Sequence, residues 1–262
     1  MPNIFDKSTF ASSQRQYALQ VKRGDVGKYV LLPGDPDRVA RIGKYLAEAR
    51  EIAFNREFRT WTGTYKGITV SATSTGVGCP SASIAVEELA NVGATHFIRV
   101  GSTAALQPQI HMGDIIINTA AMRNDGTTRF YVRDGFPAAA DHMLTHVLIE
   151  AALALKPSRG FALHVGLNAC DDAFYGETPK HIEMLQAHRL LNVEMESAAI
   201  FTVAHMRGLK AAMITAVSAN LVTSEVVYEG EKVNDRLVQG WENEIEIALE
   251  AIRRYEQQPQ EF

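Results

Sequence analysis

The chain has 262 residues, of which 46% are hydrophobic and 21% are charged, and its formal net charge is −4 at pH 7. This length and apolar content suit one large domain with a well-filled core, whereas the acidic balance argues against a nucleic-acid-binding protein or a polybasic membrane surface. The two cysteines, Cys79 and Cys170, predict neither a disulfide framework nor a metal site. The sequence shows no signal-like or membrane-spanning segment, so we expect a cytoplasmic protein.

The first predicted strand ends in a turn suited to an anion. Residues 1–18 lack periodicity and predict an N-terminal arm, and residues 28–32 form a short apolar run that predicts a strand. Gly34 follows it, in a turn that leads into a helix beginning near Pro36, so backbone N–H groups could face an anion at the positive helix end. Arg38, one turn into this helix, could reach the same anion or could simply lie solvated on the surface.

The next segment predicts a hairpin and a second glycine turn. Residues 55–74 alternate polar and apolar side chains around Lys66-Gly67, and Arg56 lies at the mouth of this hairpin. Gly76 and Gly78 precede an amphipathic helix over residues 82–89. Their spacing differs from that of a dinucleotide-binding fingerprint, so we do not predict a dinucleotide site.

A buried strand with an internal arginine follows at residues 97–104. Its apolar residues favour a strand, and Arg99 within it requires an anionic partner, either an internal carboxylate or a ligand. Gly101 permits close backbone approach where the strand ends. Ser102 and Thr103 then offer hydroxyl groups to whatever binds there.

The second half of the chain continues the alternation of strands and helices. Further strands are predicted at residues 111–119, 161–169 and 211–217, and helices at residues 141–155, 178–188 and 233–255. Glu194 and Glu196 flank Met195 just before another apolar helix, where one carboxylate could cap the helix and the other could bind hydroxyl groups. We therefore predict a single α/β domain over residues 1–262, with a central mixed, mostly parallel sheet flanked by helices in three layers.

Six motifs in this order and spacing resemble the nucleoside phosphorylase I family, which includes the purine and uridine phosphorylases, and its uridine phosphorylase branch in particular. The resemblance covers residues 18–255. The motifs are Pro33-Gly34-Asp35-Pro36-Asp37-Arg38, Asn55-Arg56-Glu57-Phe58, Ser74-Thr75-Gly76-Val77-Gly78, residues 97–103, Gly113-Asp114 and residues 193–197.

The resemblance implies phosphate-dependent cleavage of a nucleoside to free base and ribose 1-phosphate, with inorganic phosphate as co-substrate and neither a cofactor nor a metal. It implies a phosphate site formed by Gly34, Arg38, Arg99, Ser102 and, from an adjacent subunit, Arg56. The implied ribose site consists of Met195, Glu196 and Ser102, and Arg99 and Glu196 are the implied catalytic residues. The predicted base site consists of Thr103, Phe174 and Asn220.

The chain departs from the family pattern where the base would bind. The glutamine and arginine that uridine phosphorylases carry shortly after the Phe174-Tyr175 pair are replaced by residues 176–180, which contain neither, and the aspartate of purine phosphorylases is Ala219. The sequence therefore does not identify which base the protein would accept. The alternatives are a purine nucleoside phosphorylase acting on inosine, guanosine or adenosine, and a nucleoside-binding homologue with little turnover. The partners implied are a nucleoside, phosphate and other copies of the chain, in a homo-hexamer (a trimer of dimers) or a homodimer.

Overall fold

The computed structural model of the chain describes residues 14–226, 228–229 and 232–257. Most of the N-terminal arm that we predicted for residues 1–18 lies outside the described residues. The arm's described end is attached to the core: the backbone N–H groups of Ala18 and Leu19 donate to the carboxylate of Glu88 at distances of 2.8–3.0 Å.

Within the described part of the chain, the strands of the main sheet are β1 (Tyr29–Leu32), β2 (Ala47–Asn55), β3 (Phe58–Tyr65), β4 (Ile68–Thr73), β5 (His96–Ala105), β6 (Ile115–Arg123), β7 (Ala138–Ala139), β8 (Leu163–Cys170), β9 (Asn192–Glu194) and β10 (Lys210–Asn220). A separate pair of short strands consists of β11 (Tyr228–Glu229) and β12 (Lys232–Val233). The helices are α1 (Pro36–Gly43), α2 (Cys79–Asn91), α3 (His142–Arg159), α4 (Pro179–Ala187), α5 (Ser197–Met206) and α6 (Asp235–Gln257).

Strand β5 is the centre of the sheet. It pairs in parallel with β1 on one edge and with β10 on the other. Strand β10 continues through β6, β8 and β9 back to β5, so these five strands close into a ring, while β4, β3 and β2 extend the sheet beyond β1. The carboxyl ends of β1, β5 and β10 therefore meet, which is where parallel sheets place their ligand sites.

Helices cover the sheet on both faces, as the sequence predicts. Apolar residues of α1, α3 and α6 pack into one core cluster with the sheet, and those of α2 and α5 pack into a second cluster on the other face. Helix α6, predicted at residues 233–255, buries an apolar stripe that includes Leu237, Ile245, Leu249 and Ile252. Among the described residues, no helix has the length and apolar character that crossing a membrane requires.

Several local predictions are confirmed, whereas strands β2, β7, β9, β11 and β12 were not predicted. Strands β3 and β4 form the predicted hairpin around Lys66-Gly67, and Asp141 caps α3 by accepting a hydrogen bond from Leu144. Strand β2 was not predicted because it lies at the edge of the sheet and is mostly exposed, so its sequence lacks apolar alternation. Antiparallel pairing is also more extensive than we predicted, since it joins β2 to β3, β3 to β4, β5 to β9 and β6 to β10.

Candidate active site

A cavity of about 920 Å³ opens at the carboxyl ends of β1, β5 and β10, next to the start of α5. Eight of the ten predicted site residues line it: Gly34, Arg38, Arg99, Ser102, Thr103, Phe174, Met195 and Glu196. We call the part around Gly34, Arg38, Arg99 and Ser102 the arginine end. The part around Phe174, Tyr175, Glu177 and Leu221 is the aromatic end.

The turn after β1 forms one wall of the arginine end. Asp35 caps α1 by accepting a hydrogen bond from Asp37, and Pro36 occupies the first helical turn. The backbone of Gly76 donates to the carbonyl of Gly34 at 3.0 Å, and a Cβ atom at Gly34 would approach the Gly76 carbonyl oxygen to 3.3 Å. The two glycine turns predicted from the sequence are thus joined to each other, and they bring Arg38 to the cavity.

Ser102 connects Arg38 to the C-terminal helix. The Nη2 group of Arg38 donates to Ser102 Oγ at 2.5 Å, and Nε1 of Trp241 donates to the same oxygen at 2.9 Å. The Arg38 guanidinium also lies over the Trp241 ring, with its Cζ atom 4.5 Å from the ring centroid. Burial lowers the pKa of Arg38, but a guanidinium stays charged in proteins.

Arg99 is buried beside two carboxylates. Its Nε donates to Glu194 at 2.7 Å and its Nη2 forms an ion pair with Glu196, so the internal salt bridge considered from the sequence does exist. Burial alone would lower the pKa of Arg99, but Glu196 and Glu194 outweigh it and raise that pKa. The Nη1 atom is buried and has no hydrogen-bond partner among the residues that the structure describes. Because Arg99 also lines the cavity, its positive charge favours an anion there.

The two glutamates before α5 have different partners. Glu194 accepts hydrogen bonds from the backbone of Glu196 and Ser197, from Asn168 and from Arg99, so it caps the helix as well as pairing with the arginine. Glu196 accepts from the backbone N–H of Gly78 at 2.6 Å.

The environment of Glu196 makes it the carboxylate available to a ligand. Burial raises the pKa of Glu196, and Arg99 partly opposes this shift. Gly78 has a φ angle of 91°, which favours glycine at the position that donates to Glu196. Glu196 lines the cavity, and its carboxylate oxygens have further lone pairs that can accept hydroxyl groups. Met195 is half-buried beside it.

The aromatic end is open to solvent. Phe174 is 60% exposed and Tyr175 is fully exposed, and both belong to a short 3-10 helix, Phe174–Gly176, outside the sheet. Thr103 is buried, and its hydroxyl already donates to the Val193 carbonyl at 2.7 Å. Burial raises the pKa of the half-buried Glu177, which also lines this end.

Asn220 requires a correction to the predicted base site. The Asn220 side chain is 1% exposed and does not line the cavity. Its amide nitrogen donates to the carbonyls of Gln107 and Ile110, and its amide oxygen accepts from the backbone of Val222 and Thr223. All four hydrogen-bonding positions of the amide group are therefore occupied. These bonds hold the turn after β10 together.

Arg56 also lies apart from the cavity of its own chain. It is exposed, with a φ angle of 54°, in the tight turn between β2 and β3. The residue after it, Glu57, does line the cavity, so the turn passes the rim of the site.

Two residues of α6 that contact the site were not predicted from the sequence. Trp241 lies within the helix predicted at residues 233–255, and a buried indole N–H normally requires an acceptor. Glu244 is 1% exposed and accepts from the backbone N–H groups of Gly101 and Ala216. Burial raises the pKa of Glu244 to about 8, and Arg38 partly opposes this shift. A lone glutamate within the buried stripe of α6 was the signal that could have identified this residue.

Comparisons with known proteins agree with this geometry. A sequence model of the phosphorylase superfamily matches residues 28–253. The chain is 50% identical over 230 residues to a uridine phosphorylase of Thermococcus kodakarensis, covering 83% of this chain and 82% of that protein. It is 36% identical over 235 residues to a guanosine phosphorylase of Halorubrum lacusprofundi, covering 90% of this chain and 95% of that protein. A crystal structure of uridine phosphorylase from Vibrio fischeri matches with a TM-score of 0.84 at 33% identity, covering 94% of this chain and 99% of that one.

Proposed function

Because the chain belongs to the phosphorylase superfamily, we propose that it is a pentosyltransferase of the uridine phosphorylase type, which uses inorganic phosphate to cleave a nucleoside. The main support is the pair of buried guanidinium groups at the arginine end, where Arg99 Nη1 has no hydrogen-bond partner in the described part of the chain. Guanidinium groups match the geometry of phosphate oxygens and favour a dianion over water. No cofactor is needed for this chemistry.

Each residue of the site has a separate role in the proposed reaction. Arg38, Arg99 and Ser102 hold phosphate below the sugar, and Glu196 accepts hydrogen bonds from the ribose hydroxyls while Met195 packs against the ring. As the bond between C1′ and the base nitrogen breaks, its electron pair leaves with the base, and a phosphate oxygen forms the new bond to C1′. Oriented reactants and fixed charges around a cationic sugar are expected to supply most of the rate acceleration.

A purine nucleoside is the second candidate substrate. The residues described along the cavity include no glutamine, and their arginines, Arg38 and Arg99, both lie at the arginine end. Glu177 lies at the aromatic end instead, and a carboxylate accepts hydrogen bonds from ring N–H and amino groups such as those of guanine. One relative in the comparisons is a guanosine phosphorylase, which is consistent with this candidate.

A nucleoside panel tests the proposed function. Uridine, thymidine, inosine, guanosine and adenosine are incubated with the protein, with and without phosphate, and base release is measured. We expect release from at least one nucleoside that depends on phosphate and yields ribose 1-phosphate or its deoxy form. Equal release without phosphate would indicate a nucleosidase, and binding without release would indicate a nucleoside-binding protein; either result contradicts the proposal.

We also propose that the protein works in the cytoplasm as a homo-oligomer, a hexamer or a dimer, in which Arg56 completes the phosphate site of a neighbouring subunit. The exposed position of Arg56 beside the cavity rim supports this arrangement. Mixing Arg56→Ala and Arg99→Ala subunits tests it, because a mixed pair contains one site with both arginines. Random reassortment should then restore about a quarter of the wild-type activity, and no recovery in verified mixed oligomers would contradict a shared site.

A further inference from the structure

Trp241 and Glu244 of α6 reach the arginine end from behind the residues that line it. They are three positions apart and therefore lie on the same face of the helix. Trp241 contacts Ser102 and Arg38, and Glu244 contacts the backbone of Gly101. Neither residue lines the cavity, so any effect on a ligand must pass through those that do.

Trp241 determines how Ser102 can act. Ser102 Oγ accepts one hydrogen bond from Trp241 and one from Arg38, which occupies both of its lone pairs. Its own O–H proton is then free to point into the cavity, where Ser102 can serve only as a donor. A donor is what a phosphate oxygen requires. The Trp241 ring also supports the Arg38 guanidinium from below, which limits where that cation can lie.

Glu244 fixes the backbone at the same point and balances the charge of Arg38. Its Oε2 accepts from Gly101 at 3.0 Å and from Ala216 at 3.1 Å, which joins the neighbouring strands β5 and β10. Its Oε1 lies 4.0 Å from Nη1 of Arg38. The charged groups that face it are Arg38 from α1 and, more distantly, Arg99 from β5.

We propose that Trp241 and Glu244 are positioning residues for phosphate: Trp241 keeps Ser102 as a hydrogen-bond donor, and Glu244 sets the position and the available charge of Arg38. This inference rests on the proposed function. When Glu244 is neutral, the full charge of Arg38 acts on the phosphate. When Glu244 is ionised, it competes with the phosphate for Arg38. Burial raises the pKa of Glu244 to about 8, so this change falls within the range where an enzyme assay can follow it.

Two variants separate these roles, and a third serves as the control. Trp241→Phe keeps an aromatic side chain next to Arg38 and removes the N–H group together with part of the ring. Glu244→Gln can accept both backbone hydrogen bonds through its single oxygen and removes the charge. Glu246→Gln alters the same helix at a carboxylate that pairs with Arg159, away from the cavity.

The measurements are calorimetric binding of inorganic phosphate and the kinetic constants for phosphate and nucleoside. For Trp241→Phe we expect a KM for phosphate about fivefold to tenfold higher, with kcat and the KM for nucleoside within twofold of wild type. For Glu244→Gln we expect a KM for phosphate equal to that of wild type at pH 6.5 and about threefold or more lower at pH 9. Glu246→Gln should match wild type at both pH values.

The outcomes also distinguish this inference from the proposed function. If the wild-type protein neither binds phosphate nor uses it, the proposed function fails first. Two other outcomes, in a wild-type protein that does use phosphate, would overturn the inference and make the residues merely structural. One is a folded Trp241→Phe variant that changes the KM for phosphate and the KM for nucleoside equally. The other is a Glu244→Gln variant whose KM for phosphate differs from wild type by the same factor at both pH values. Should Glu244→Gln fail to fold, the Trp241→Phe result alone decides in the same way.

Discussion

The two ends of the cavity are built differently. At the arginine end, Arg99 is held by two carboxylates, and Ser102 is held by both Arg38 and Trp241. At the aromatic end, Phe174 is 60% exposed and lies in a short helix outside the sheet. One end consists of side chains fixed on strands and helices, and the other consists of loop residues with few partners.

In the proposed function, the arginine end carries out the reaction with phosphate, and the aromatic end determines which base is accepted. Side chains locked by buried partners hold a reacting anion in one geometry, which catalysis requires. Loop residues vary more easily between relatives and can accept different bases without disturbing the anion. The relatives include proteins named guanosine phosphorylase and uridine phosphorylase at 36% and 37% identity.

The largest expected effect comes from changing Arg99→Lys. Lysine keeps the positive charge but offers one nitrogen in place of the planar guanidinium, whose separate nitrogens contact Glu194 and Glu196, so we expect kcat/KM to fall by about 100-fold or more. Steady-state kinetics on the folded variant measure this loss. Arg207→Lys is the matched control, because Arg207 pairs with Glu87 far from the cavity. A folded Arg99→Lys variant within threefold of wild type would contradict the role of the arginine end.

A smaller, selective effect is expected for Ser102→Ala. This change removes one donor to phosphate and one acceptor for Arg38, so the KM for phosphate should rise about tenfold, while the KM for nucleoside rises less. Ser158→Ala, on the exposed surface of α3, is the control. An equal rise in both KM values would mean that Ser102 does not distinguish the two substrates.

At the aromatic end, Phe174→Ala should act on the nucleoside alone. Loss of a ring that stacks on a base is expected to raise the KM for nucleoside about threefold to tenfold and to leave the KM for phosphate unchanged. Comparing uridine with guanosine shows whether the ring contributes to base preference. A change confined to the KM for phosphate would reverse the assignment of the two ends.

The smallest effect concerns stability and its pH dependence. The pKa of Glu244 is raised from 4.5 to about 8 in the folded protein, so between these pH values the folded state binds more protons than the unfolded state. The free energy of unfolding should therefore decrease as the pH rises from 4.5 to about 8 and level off above that, a loss of about 1 kcal/mol or more relative to Glu244→Gln. Urea unfolding at pH 5 and pH 9 measures this difference. If the free energy of unfolding changed by the same amount between pH 5 and pH 9 in wild type and in Glu244→Gln, the buried, protonated state of Glu244 would be contradicted.

The parts of the molecule that could be predicted were those with local signals. An arginine within an apolar strand identified Arg99, and a glycine-proline turn before a helix identified Gly34 and Arg38. Both signals depend on neighbours in sequence, and the structure brings these residues to one cavity. Strand β5 and helix α6 were likewise visible from their apolar patterns.

The parts that could not be predicted depend on long-range contacts. Trp241 contacts Ser102 across 139 positions of sequence, and Glu244 contacts Gly101 across 143. Asn220 looked available for a base because its side chain is polar and follows a strand, but the turn after β10 uses its whole amide group. Cys79 and Cys170 are similarly distant in sequence, yet their Sγ atoms lie 3.5 Å apart as free buried thiols.

The identity of the sugar product tests the central claim most directly. Phosphorus NMR can follow the protein with phosphate and the best nucleoside of the panel while base release is measured in the same sample. We predict a new phosphate monoester signal that grows in step with the released base, because the arginine end supplies phosphate as the nucleophile. Release of base together with free sugar, and no new phosphorus signal, would contradict the account.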